Sequence, residues 1–278
     1  MKEKVRILGR WVIYALGGFL TLLGACTQKG NPLPLHPQFT LSLDQLMELV
    51  QNTPRETSIK IRENPKRFLE LLDGILRSDR ELFLLVDKKH PLPRTYEPKD
   101  LVSLDTYEIR TSRPTLLLRK SAAQALSIMA KEARKDGTEL LVSSAYRSFQ
   151  YQATVYKRVV QELGQEAADR ESAKPGFSQH QLGTAVDFGS ISDSFTGTPM
   201  ERWLRRRAWE FGFSLSYPEG KEAETGYRYE SWHYRFLGKD ATQLEREFFF
   251  GSQQRMLEFL DTHWEALQKV HRLPSSNR

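Results

Sequence analysis

The sequence predicts a fold that mixes helices with short strands, the strands gathered in the middle of the chain and helices toward both ends. Three observations carry this expectation. Apolar residues recur at helical spacing over Arg119 to Lys135 and over Leu244 to Val270. Short apolar or alternating runs stand at Leu140 to Val142, Thr184 to Phe188 and Phe213 to Tyr217, and Gly/Pro turns separate the two kinds of run.

Taken in order, Ser42 with Gln45 has the form of a capping box ahead of Leu43, Leu46, Met47 and Val50, which predicts a helix near 42–52. Asn64-Pro65, as N-cap and N1, opens a second helix that runs through Phe68, Leu69, Leu72, Ile75 and Leu76 toward Ser78. The turn-rich stretch Asp87 to Pro93 marks entry to the main domain, and His90 within it reads as an exposed turn residue. Arg119 to Lys135 turns Ala122, Ala125, Leu126, Met129 and Ala133 to one face and closes at Asp136-Gly137. A buried strand at Leu140 to Val142 runs into Ser143 to Ser148, which sets Arg147 at a strand-to-helix junction. Ser148 caps a helix from Phe149 to Leu163 with Ala153, Val155, Tyr156, Val159 and Val160 turned inward. Gly164 to Gly176 is a polar surface loop with room for a helical turn, and Thr184 to Phe188 a strand with Asp187 on the face opposite Val186 and Phe188. A helix from Met200 to Phe211, strands at Phe213 to Tyr217 and Tyr227 to Phe236, and one covering helix from Leu244 to Val270 complete the chain before a frayed end at Pro274 to Arg278.

With 278 residues, 39% hydrophobic and 27% charged, the chain has an ordinary globular composition. The net charge of +6 comes without a basic stripe interleaved with aromatics and without zinc-finger spacing, so nothing supports nucleic-acid binding. A single cysteine, Cys26, excludes an intrachain disulfide and a cysteine-based metal site. Its setting is informative: Lys2, Lys4, Arg6 and Arg10 precede an apolar run over 11–23, and Leu23-Gly24-Ala25 leads into Cys26. That run is shorter than the ~18 to 20 residues a membrane span needs. Small residues followed by cysteine resemble a bacterial lipoprotein signal, which implies lipidation of Cys26 and a cell-envelope location; an uncleaved transmembrane anchor is the runner-up. The expected organisation is a signal peptide at 1–25, a flexible tether at 26–40, an N-terminal helical segment at 41–80, a main domain at 81–240 and a C-terminal helical extension at 241–278.

Chemistry concentrates in two stretches, Ser178 to Asp187 and Glu230 to His233. His180, Asp187 and His233 make a three-ligand set for a zinc ion that keeps one position open. Gly183 lets the chain leave His180, turn, and return as the strand that presents Asp187. Glu230, three residues before His233, is placed to act as general base on a water without ligating the metal. In a regular strand Glu230 and His233 would point to opposite faces, so an irregularity is expected near Ser231-Trp232. Arg147 offers a fork for a carboxylate, which points to a substrate with a free C-terminus.

Ser144-Ala145-Tyr146-Arg147-Ser148, Ser178-x-His180-x-x-Gly183-x-Ala185-x-Asp187 and Glu230-x-Trp232-His233-x-Arg235-Phe236 resemble the three signatures of the zinc D-alanyl-D-alanine carboxypeptidases of the vancomycin-resistance type. The similarity extends over about Leu84 to Lys239, including Leu92-Pro93-x-x-Tyr96-x-Pro98 and Tyr217-Pro218-Glu219-Gly220-Lys221. The resemblance implies an α+β fold with a small antiparallel sheet, shared with the lysostaphin and hedgehog metallopeptidases, plus helical additions at both ends. It also implies His180, Asp187 and His233 as zinc ligands, Glu230 as catalytic base, Arg147 on the substrate carboxylate, and Gln152 and Ser178 on the terminal D-alanine. Peptidoglycan stem peptides are then the expected partners. Ala145 replaces the usual glycine and Phe236 a common tyrosine, which bears on substrate preference and not on the metal. Three rivals stand beside the D,D-carboxypeptidase: an L,D-carboxypeptidase acting on tetrapeptide stems, an endopeptidase, and a non-catalytic wall-binding module, the last opposed by an intact Glu230.

Overall fold

The computed structural model describes residues 34–272. The expected signal at 1–25, Cys26 and the frayed end from Pro274 lie outside the described residues. Among those described, no helix is long and apolar enough to cross a membrane.

Three helices come first among the described residues: α1 (Leu43–Leu49), α2 (Arg55–Glu63) and α3 (Pro65–Arg77). The Ser42–Gln45 capping box is formed in both directions, at 3.0 and 3.3 Å. Asn64 does precede α3 but makes no side-chain cap, so Pro65 at N1 carries the start alone. Helix α2 went unforeseen because its sequence, Arg-Glu-Thr-Ser-Ile-Lys-Ile-Arg-Glu, buries only Thr57 and Ile61. Residues 34–40 of the expected tether are folded. Phe39 is fully buried and bridges to His271, and the Gln38 carbonyl accepts from the Arg272 amide at 2.6 Å.

The central sheet orders its strands β2-β4-β5-β7-β6, from β2 (Arg110–Thr111), β4 (Leu141–Ser144), β5 (Ala185–Phe188), β7 (His233–Phe236) and β6 (Phe213–Leu215). All pairings are antiparallel except β2 with β4, so the small antiparallel sheet carries one parallel edge strand. A separate ribbon pairs β1 (Leu101–Ser103) with β3 (Leu117–Arg119). These two- and three-residue strands are too short for periodicity to register in the sequence. On one side the sheet packs Val142, Val186, Phe188 and Tyr234 into the core with α4 (Lys120–Lys135) and α7 (Pro199–Arg207).

Two expectations about helices need correction. The predicted single helix over Leu244 to Val270 is two, α9 (Lys239–Phe248) and α10 (Gln253–Val270), broken where Phe250 and Gly251 adopt φ of 54° and 75° and Ser252 recaps the chain on the Arg255 amide. Helix α5 (Phe149–Leu163) is capped by Ser148 as expected, yet its one buried residue is Gln152. Val155 and Val159 are half-buried and line a cleft instead of the core. The polar stretch after it contains a further helix, α6 (Gln165–Glu171), and a short α8 (Glu222–Thr225) precedes Tyr227. The N-terminal helices and α9 and α10 share one apolar core with the sheet: Phe68 of α3 meets Phe248 and Phe259 edge-on at 5.1 and 5.8 Å. Gly74 permits this approach, since a Cβ there would lie 1.8 Å from an Asp240 carboxylate oxygen.

Candidate active site

The sheet places three polar side chains in a row across β4, β5 and β7, because Ser144 is registered opposite Asp187 and Asp187 opposite His233. A register shift between Val142 and Ser144 accompanies this alignment. His180 arrives from outside the sheet, on a 3₁₀ turn, Gln179–Leu182, whose N-cap Ser178 accepts from the His180 amide at 3.3 Å. Gly183 ends the turn at φ +67°, where a Cβ would press within 2.9 Å of Leu101; only glycine fits, and the chain re-enters as β5. The irregularity expected near Ser231-Trp232 takes the form of a strand end. β7 begins only at His233, and the His233 amide donates to the Glu230 carbonyl at 3.1 Å, so Glu230 sits in a turn beneath His233, free of strand parity.

The result is a compact constellation. His180 Nε2 lies 3.1 Å from Asp187 Oδ2, His233 Nδ1 lies 2.9 Å from Asp187 Oδ1, and Glu230 Oε2 is 3.8 Å from His233 Nδ1. One ligand-type atom from each of His180, Asp187 and His233 falls within 4.8 Å of the others, and all three residues are buried. They line a cleft of ≈ 320 Å³ together with Arg147, Gln152, Ser178, Tyr217 and Glu230.

Hydrogen bonding decides what this cluster can hold. His180 Nδ1 donates to the Ala145 carbonyl at 2.7 Å, and His233 Nε2 faces Gln179 Oε1 at 3.2 Å. Each ring's other nitrogen is turned to an oxygen of Asp187. In a neutral imidazole that nitrogen is an acceptor, so acceptor meets acceptor on both sides of the carboxylate, a conflict that a shared cation removes. Burial and the nearby Arg147 charge lower His180 to about 4 against the pull of Asp187, which keeps the ring neutral at pH 7. Burial works to raise the Asp187 carboxyl, yet it is held well below the usual carboxylate range, with the Arg147 guanidinium 2.6 Å from its Oδ2. Two imidazoles and one carboxylate fit a zinc ion of the catalytic kind.

Glu230 differs from Asp187 in kind. Burial pushes its carboxyl up to about 7; His233, Arg228 and Arg147 pull it down, while Asp187 adds to the rise. Arg147 anchors on Ser144 Oγ (3.0 Å), Gln152 Oε1 (3.3 Å) and Asp187 Oδ2 (2.6 Å). A guanidinium has five N–H groups, so one remains on each terminal nitrogen of Arg147. Gln152 is tied through Nε2 to the Ala173 carbonyl at 2.7 Å. All seven residues singled out in the sequence for metal, base and substrate roles therefore meet in the cleft.

A family model described as D-alanyl-D-alanine carboxypeptidase, VanY, matches residues 115–239. The Bacillus subtilis protein YodJ is 35% identical over 185 residues, which is 63% of this chain and 68% of that protein. The chain belongs to the VanY family of D-alanyl-D-alanine carboxypeptidases. Two solved structures extend the likeness. The LdcB LD-carboxypeptidase is 33% identical at a TM-score of 0.58, over 64% of this chain and 86% of that one. A D,D-pentapeptidase VanY from a VanB-type resistance cassette, in complex with Zn(II), is 28% identical at a TM-score of 0.53, over 64% of this chain and 99% of that one. The α+β class expected from the sequence is the fold these VanY-type structures share.

Some contributors to the VanY-type site escaped sequence reasoning. Gln179 and Ser216 buttress His233, Tyr217 stacks on its ring at 4.9 Å, and Arg228 lies over Trp232 while pairing with Glu171 and Asp193. Gln179 stands inside the second signature at a position of no fixed type, and its partners are 37 and 54 residues away. No local spacing signals such contacts.

Proposed function

We propose that this chain is a zinc-dependent carboxypeptidase that releases the terminal D-alanine from peptidoglycan stem peptides. The observation that carries this reading is the meeting of His180, Asp187 and His233, ligand atoms within 4.8 Å, beside the buried Glu230 in one cleft. His180, Asp187 and His233 would hold the ion, three ligands as in catalytic zinc sites. When bound, zinc supplies Lewis acidity to the scissile carbonyl and lowers the pKa of a water toward ~7.

The protein's own groups do the rest. Glu230 accepts the proton of the attacking water and returns it to the amine of the departing D-alanine, a double duty suited to a carboxyl held at about 7. Arg147 directs its remaining N–H groups at the terminal carboxylate, which selects substrates with a free end. Tyr217, stacked on His233, and Gln152, bonded to Arg147, keep these groups from swinging away. Peptidoglycan lies outside the cytoplasmic membrane, so this function requires export, in keeping with the lipoprotein-like signal that ends at Cys26.

Purified protein stripped with a chelator is expected to release no D-alanine from a pentapeptide stem and to recover on addition of zinc; full activity in the stripped protein would refute the metal's part. The likeness to LdcB supports a second reading, an L,D-carboxypeptidase acting on tetrapeptide stems. Digestion of defined tetra- and pentapeptide muropeptides separates them, since only the D,D-enzyme shortens the pentapeptide.

A further inference from the structure

We propose that the C-terminal helix α10 reaches the candidate metal centre through a buried amide relay, Gln253 to Gln179, that fixes the tautomer of His233 and so presents its Nδ1 to the ion. The inference rests on the zinc reading above and assigns a positioning role to two glutamines. The match to the VanY family model ends at residue 239, so Gln253 lies beyond it.

The polarity of the relay is set at its far end. Gln253 Nε2 lies 3.0 Å from Ser214 Oγ and 3.4 Å from the Ser214 backbone carbonyl. A carbonyl only accepts, so the amide must turn its NH₂ there and its Oε1 the other way. Gln253 Oε1 then faces Gln179 at 3.4 Å, which obliges Gln179 to present Nε2 to it. Gln179 Oε1 is thereby left to face the site, where it accepts from Ser216 Oγ at 2.7 Å and from His233 Nε2 at 3.2 Å. A neutral imidazole whose proton is held at Nε2 has its lone pair on Nδ1, and in His233 that is the atom that points at Asp187 and Glu230. Gln179, Ser214, Ser216, His233 and Gln253 are all buried, so water does not compete for these bonds.

His180 reaches the same end by a shorter route, Nδ1 donating directly to the Ala145 carbonyl. Both rings are thus referred to a backbone carbonyl, one at first hand and one through two side-chain amides. Partners of this kind set ring orientation and the basicity of a metal ligand.

The test uses the full chain and reads two quantities: the tautomer of His233 from its imidazole ¹⁵N shifts in the metal-free protein, and zinc affinity by competition with a chelator. Gln179→Leu removes the acceptor and is expected to mix the His233 tautomers and weaken zinc about 10- to 100-fold. Gln179→Glu restores an acceptor and is expected to recover the Nε2–H tautomer. Gln253→Met, which leaves Gln179 free to rotate, is expected to shift tautomer and affinity in the direction of Gln179→Leu. His233 unchanged in tautomer in both Gln179→Leu and Gln253→Met would overturn the relay. Because the tautomer is read without metal, this outcome stays separate from a parent protein that fails to bind zinc, which would instead undo the zinc reading. Should Gln253→Met not fold, Gln179→Leu against Gln179→Glu decides alone.

Discussion

Glu230 and Glu245 are two buried glutamates whose carboxyls are both pushed up to about 7, in each case chiefly by burial. Their surroundings have little else in common. Glu230 sits in a turn at the mouth of β7, lines the cleft, and lies 3.8 Å from His233 with Asp187, Arg228 and Arg147 nearby. Glu245 sits on α9 against the sheet, with the Ser214 hydroxyl and the Arg246 charge as the groups that lower its carboxyl and with Oε2 lacking any partner. A raised carboxyl is therefore no mark of chemistry by itself. What sets Glu230 apart from Glu245 is the cleft it lines and the group of possible metal ligands beside it.

The comparison breaks most directly at Glu230. Glu230→Gln keeps the shape and removes the proton acceptor, so D-alanine release is expected to fall by about 10² to 10⁴-fold while bound zinc, measured by metal analysis, stays at the parent level. Loss of zinc along with activity would move Glu230 from base to ligand.

Glu245→Gln is the matching change in the core, and its effect is expected in stability. In the folded chain Glu245 keeps its proton up to about 7, whereas unfolded it would release it near the ordinary glutamate value of 4.5. The folded state thus binds the extra proton between these values, and stability falls as pH rises through that window, by on the order of 3 kcal/mol in all. Denaturant unfolding from pH 4 to 8 should show the variant with a flatter profile and greater relative stability above pH 7. An unchanged profile would mean that Glu245 is better solvated than its burial implies.

Arg147→Ala sharpens the contrast from the cleft side, because Glu230 lies near the guanidiniums of Arg147 and Arg228. Loss of a charge-assisted pair of roughly 1.5 to 3 kcal/mol should weaken kcat/KM for free-terminus peptides by about 10- to 100-fold. Peptides with an amidated terminus, poor substrates already, should lose little. Equal losses on both would assign Arg147 to Asp187 alone, to which it bonds at 2.6 Å.

The site was more legible in the sequence than the scaffold. Gly183, Asp187 and His233 act through local geometry, a left-handed turn and two register positions, and such geometry leaves fixed spacings in the chain. The parity conflict between Glu230 and His233 even announced the strand end between them. The misread parts answer to contacts across long distances. Val155 and Val159 look like core residues and instead wall a cleft, because the face of α5 is chosen by what packs beside it. The split between α9 and α10 depends on Phe250 taking a positive φ, a rare choice that no propensity signals. Gln179 and Gln253 look like ordinary polar residues until their partners from β6 and β7 are in view.

The most direct test of the candidate metal centre is anomalous diffraction from a zinc-loaded crystal. A single peak within bonding distance of His180 Nε2, an Asp187 oxygen and His233 Nδ1, with Glu230 outside the coordination sphere, is the predicted result. No peak among these three residues, or zinc bound through His233 Nε2, would contradict the account.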